Sequence, residues 1–234
     1  MKKLTHIIII LLFLHTQLLP MVHVFGDSHA SFCFSDKGQA THIFNYKNID
    51  VPFSIHWLIG KTMYGVSKNG LDILNIKKFN VQEYDIAVFA FGEIDVRCHI
   101  GKQRDEKGRD VHEIIDSLVT QYMKFINQNR ALYKNIFCIV MEIIPPSNRC
   151  NHPNWPFYGT LEDRIAITRL MNKRLREACN IHHLLFLPTH NLYANPGGSL
   201  NAQLSDNCVH VGYSSNYLIK QQLIDVLLQE EILP

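Results

Sequence analysis

From Met21 onward, short apolar runs alternate with longer stretches in which apolar residues recur every three or four positions. Val22 to Phe25 predicts a first strand and Pro52 to Leu58 a second. Ile86 to Phe91 is apolar throughout and stops at Gly92, as a strand buried on both faces requires. Val111 to Asn129 places Ile114, Ile115, Leu118, Tyr122, Phe125 and Ile126 on one helical face. Ile136 to Ile144 predicts a fourth strand, halted by Pro145-Pro146. The stretch from Pro145 to Tyr158 is rich in Pro and Asn and reads as loop. Thr160, with Asp163 three residues on, predicts a capped helix from Leu161 to Ala178. Leu184 to Leu187 predicts a fifth strand, and Tyr217 to Leu228 a closing amphipathic helix.

Strands separated by helices imply right-handed crossovers and a parallel sheet covered on both faces. The expectation is one domain over residues 21–234, a three-layer α/β/α arrangement of flavodoxin-like type with a five-stranded parallel sheet. No internal repeat, low-complexity tract or linker interrupts it.

Residues 1–20 stand apart. Lys2 and Lys3 precede the apolar run Ile7 to Leu14, as in a secretory signal, but the run is too short to span a bilayer comfortably. No small-residue cleavage site follows it. Two readings stand: a signal or anchor, or a true start at Met21, with the upstream codons wrongly assigned to the protein or forming a loose leader. The first implies a secreted or membrane-anchored protein, with membrane contact only where residues 1–20 are retained; the second implies a cytoplasmic one.

Composition narrows the function without choosing it. The chain has 234 residues, 47% hydrophobic and 19% charged, which suits one well-buried domain. A net charge of +2 with no basic stripe argues against a nucleic-acid partner. Cys33, Cys98, Cys138, Cys150, Cys179 and Cys208 are scattered without metal-ligand spacing, and reduced thiols are the simpler expectation. His23, His42, His56, His112 and His152 likewise show no ligand spacing, so neither metal nor cofactor is expected.

The chemistry sits at the end of the first strand. Gly26-Asp27-Ser28-His29 brings a serine to the carboxyl edge of the sheet, where open α/β folds bind and process ligands. Serine is a weak nucleophile until a base takes its proton. His210 is the candidate base, and Asp206 the carboxylate that would fix its tautomer; both enter the last helix at that edge. Asp27 reads as a turn-tightening residue with no chemistry of its own.

These residues carry a family resemblance. The chain resembles the SGNH, or GDSL-like, hydrolase superfamily, whose four sequence blocks carry Ser, Gly, Asn and His. Gly26-Asp27-Ser28 matches the first block. Asp206-Asn207-Cys208-Val209-His210 resembles the last, with one residue more than the usual Asp-x-x-His. The resemblance implies an oxyanion site made from the Ser28 N–H and a glycine N–H after the second strand. Gly60 is the candidate, and Gly65 its rival. The third block departs: Gly92-Glu93-Ile94-Asp95 has Ile94 where an oxyanion-holding Asn is expected. Losing one such donor costs on the order of a hundredfold in rate. Asp95 and Arg97 are candidates for oxyanion or substrate contacts, or with Glu93 for a buried ion-pair network that steadies the site. The string Gly-Glu-Ile-Asp-x-Arg and the segment Gly159 to Arg164 resemble a subset of the superfamily that supplies no substrate.

The implied activity is a serine esterase-type hydrolase acting through an acyl-serine on a small-molecule or glycan ester, or an acyltransferase on glycans. The competing reading, supported by Ile94, is a catalytically silent domain that binds carbohydrate or a cell-envelope ligand. Trp155, Phe157 and Tyr158 would line the pocket or pack the loop.

Overall fold

A computed structural model describes residues 19–30, 39–151, 153–154 and 156–234. The leader through residue 18, Cys33, His152 and Trp155 lie outside the described residues.

Among the described residues, six strands form one sheet. They are β1 (Val22–Gly26), β2 (Gln39–Tyr46), β3 (Ile49–Trp57), β4 (Ile86–Ala90), β5 (Phe137–Met141) and β6 (Leu185–Leu187), in the spatial order β2-β3-β1-β4-β5-β6. Five of them pair in parallel. The sixth, β2, corrects the five-stranded expectation: it runs antiparallel to β3 at the sheet edge. Its turn places Lys47 and Asn48 at φ 53° and 64°, the paired left-handed conformation of a two-residue hairpin. Exposed Thr41, Ile43 and Asn45 alternate with half-buried His42, Phe44 and Tyr46, so β2 covers core on one face only.

The helices among the described residues are α1 (Met63–Asn69), α2 (Gly101–Lys107), α3 (Val111–Arg130), α4 (Leu161–His182), the single turn α5 (His190–Tyr193) and α6 (Tyr217–Gln229). A π-helical segment, Asp95–Ile100, runs directly into α2. Alternate residues of each central strand serve opposite faces. Phe25, Ala87, Phe89, Cys138 and Val140 pack with α1, α3 and α4 on one side. Val24, Phe53, Ile55, Val88, Ile139 and Met141 pack with α5 and α6 on the other. The three layers follow from this division. Helix α4 outruns its expected end at Ala178 and stops where His183 turns left-handed at φ 51°.

The topology fixes where a ligand can sit. After β1 the chain moves outward to β3, then crosses over β1 to β4, so the order reverses between β1 and β4. The crevice beyond the carboxyl ends of that strand pair is where such sheets take ligands. Ser28 follows β1, and Gly92-Glu93 follows β4.

Candidate active site

The corner after β1 is built by close approach. A Cβ at Gly26 would collide with the carbonyl oxygen of Ala90 and crowd the Ala30 methyl, so only glycine lets β1 turn there against β4. Asp27 then closes the turn: its carbonyl accepts from Ala30 N at 3.0 Å, and its Oδ1 accepts from His29 N at 2.9 Å. Ser28 opens this short helical turn and is half-buried.

The second half of the site comes from the far end of the chain. Asp206 Oδ1 accepts from the amides of Cys208 (2.7 Å) and His210 (3.2 Å), while Asp206 N donates to His210 O at 3.0 Å. Asn207 sits at φ 66°, and that left-handed residue absorbs the extra position between Asp206 and His210. The added residue therefore leaves the side-chain pairing intact. Asp206 Oδ2 lies 2.8 Å from His210 Nδ1, and His210 Nε2 lies 2.8 Å from Ser28 Oγ. With His210 neutral, Nδ1–H donates to the carboxylate and the serine hydroxyl donates to Nε2. Burial and the neighbouring His29 hold the His210 imidazole below its ordinary pKa, against the pull of Asp206. A base of lowered pKa is unprotonated, and so ready to accept a proton, further into the acid range.

Sequence reasoning passed over His29. Its Nδ1 lies 2.9 Å from Asp27 Oδ1, its Nε2 lies 3.3 Å from the carbonyl of Val209, and its ring centroid is 4.9 Å from that of His210. Burial alone would lower its pKa, but Asp27, Glu93 and the Val209 carbonyl outweigh that and raise it. A protonated His29 donates from both nitrogens and ties the turn after β1 to the loop that carries His210. Its signal was its place beside Ser28, two residues after an aspartate that doubles as turn former and acceptor.

The remaining candidates divide. Arg97 Nε lies 2.9 Å from Glu93 Oε1, one turn away, and both side chains are buried. Asp95 stands outside that pair: its carboxylate accepts from Met63 N at 2.8 Å and Tyr64 N at 3.1 Å, and so caps the start of α1. Complete burial pushes its pKa up to about 7 despite those two donors. Ile94 is buried at the head of the π-helical segment. Gly60 occupies an exposed turn at φ 67°, two residues past the point where Leu58 N donates to Gly26 O at 2.8 Å. That bond holds the turn beside the corner that bears Ser28.

A loop flanks the histidine. Ser147 Oγ donates to Cys208 O at 2.8 Å, and Arg149 Nη1 donates to Asn207 Oδ1 at 2.9 Å. Arg164, 1% exposed, braces the loop from beneath through Asn148 Oδ1 at 2.6 Å and Gly159 O at 3.0 Å. The two described aromatic residues pack the loop: Phe157 lies 4.4 Å under the Arg164 guanidinium, and Tyr158 Oη donates to Glu106 at 2.8 Å.

No protein-family model matches the chain, and no curated protein matches at a significant level. Solved structures do match in shape. A candidate platelet activating factor from Streptococcus pneumonia aligns with a TM-score of 0.60 and 13% identity, covering 94% of this chain and 86% of its own. The acetylxylan esterase Axe2 from Geobacillus stearothermophilus aligns with a TM-score of 0.56 and 13% identity, over 89% and 94%. A lipase/acylhydrolase from Enterococcus faecalis aligns with a TM-score of 0.55 and 13% identity, over 91% and 97%. The chain has the same three-layer fold as these proteins, along most of its length and theirs.

Proposed function

We propose that this protein is a serine ester hydrolase of the SGNH type. The observation that carries the reading is the unbroken series Asp206–His210–Ser28, with 2.8 Å at each link. Ser28 Oγ attacks the ester carbonyl while His210 Nε2 takes its proton, and Asp206 steadies the resulting imidazolium. The oxyanion of the tetrahedral intermediate is held by the backbone N–H groups of Ser28 and Gly60. Collapse passes the proton from His210 to the departing alkoxide and leaves an acyl-serine. A water, deprotonated by the same imidazole, then releases the acid. An acceptor hydroxyl in place of that water would make the reaction an acyl transfer.

In this reading Arg97, held by Glu93, and Asp95, capping α1, keep the walls of the crevice in place. Esterases and acylhydrolases that share the fold support short acyl groups on small molecules or glycans as the substrate class. The buried Ile94, which has no side-chain donor, favours the second reading: a silent carbohydrate-binding domain.

Turnover separates the two. Wild-type protein should release acetate from p-nitrophenyl acetate and acetylated xylo-oligosaccharides. Ser28→Ala and His210→Ala should each lower kcat/KM by about a thousandfold or more. Equal rates in all three proteins would overturn the hydrolase reading.

A further inference from the structure

We infer that Cys150 and Cys208 are a redox site, closing into a disulfide that ties the loop between β5 and α4 to the turn bearing Asp206 and His210. The two segments run side by side, joined by the bonds from Ser147 to Cys208 and from Arg149 to Asn207. That alignment sets Cys150 against Asn207, the residue directly before Cys208. Cys150 Sγ also donates to the Asn207 carbonyl at 3.6 Å, so it is already turned toward the opposite strand of the chain. No other described cysteine shares the setting, because Cys98, Cys138 and Cys179 are buried.

Accessibility orders the chemistry. Cys150 is exposed and Cys208 only half so. Burial, with Cys150 adjoining, pushes the Cys208 thiol up to about 11. Cys150 is therefore the entering nucleophile. With a disulfide such as glutathione disulfide as oxidant, the Cys150 thiolate attacks one sulfur, forming a mixed disulfide and expelling one glutathione thiolate. The Cys208 thiolate then attacks Cys150 Sγ and expels the second. Two protein thiols lose two protons and two electrons, and one disulfide reagent becomes two thiols. The product pins the Asp206–His210 turn against its neighbouring loop. Only its influence on turnover rests on the proposed ester hydrolysis; the bond itself does not.

The test uses the full chain, treated with glutathione disulfide or with dithiothreitol, alkylated, and mapped by mass spectrometry without reduction. The oxidised protein should yield a peptide pair joined through Cys150 and Cys208, absent from Cys150→Ser and from Cys208→Ser. Its Tm should exceed that of the reduced protein by roughly 5–15 °C, as a long closed loop in a domain of this size implies. Alkylation of both thiols after oxidation would overturn the inference, as would stable glutathione adducts that never resolve. The bond is read by mass, so a protein that cross-links without cleaving esters refutes the hydrolase reading alone.

Discussion

The smallest scale at which the account can fail is the titration of His210. Its imidazole must be unprotonated to accept the Ser28 proton, and burial with the neighbouring His29 lowers its pKa. The acid limb of kcat/KM should therefore inflect below about 6.5, the value of an unperturbed histidine. His29→Gln removes the neighbouring charge while keeping a hydrogen-bond donor for Val209, so that limb should move upward toward the ordinary value. The profile of the variant against wild type checks both statements. Ser28, His210 and Asp206 could be chosen as candidates from residue type and order because nucleophile, base and carboxylate come from a short menu. His29 was not readable. Its importance depends on the Val209 carbonyl lying 3.3 Å away, a contact between positions distant in the chain.

At the scale of elements, α1 depends on a carboxylate from another segment. The Met63 and Tyr64 amides at its first turn have no intrahelical acceptors, and Asp95 supplies both. Asp95→Ala should strand two donors and lower unfolding stability by about 2–4 kcal/mol, with a smaller loss in Asp95→Asn. Urea denaturation of the three proteins measures the difference. The central strands were legible because burial on both faces demands continuous apolar runs, as at Ile86 to Phe91. The hairpin strand β2 was not. Its half-exposed alternation includes His42, Asn45 and Tyr46, and its turn uses Lys47-Asn48 in place of a glycine-bearing pair. The contacts of Asp95 were hidden for a related reason: three neighbouring charges suggest one ion network, and only the fold shows that the Asp95 carboxylate reaches the backbone of α1.

Across the whole molecule, the sheet holds a buried polar relay away from the candidate site. His23 Nδ1 lies 3.0 Å from His56 Nε2, and His23 Nε2 lies 3.2 Å from Asp85 Oδ2. Burial, with His23 adjoining, drives the His56 pKa down to about 4. Between pH 4 and 6.5 the unfolded chain binds a proton at His56 that the folded protein refuses. This group's contribution is thus complete above pH 6.5 and is lost as pH falls toward 4. The stability advantage of wild type over His56→Gln should shrink across that window, as chemical denaturation at stepped pH will show. An advantage that grows on acidification would contradict the burial argument. The layer architecture was legible from Met21 onward, since alternating runs and helices admit few topologies. The meeting of Ser28 and His210 at one sheet edge followed from that topology, and the fold adds the 2.8 Å contact between them.

The central claim is that the Ser28 hydroxyl is activated by His210, and covalent capture tests it without knowledge of the substrate. Folded protein treated with a fluorophosphonate should carry a single adduct, localised to Ser28 by mass spectrometry and absent from His210→Ala. An unlabelled Ser28 in folded wild-type protein, or equal labelling in the His210 variant, would contradict it.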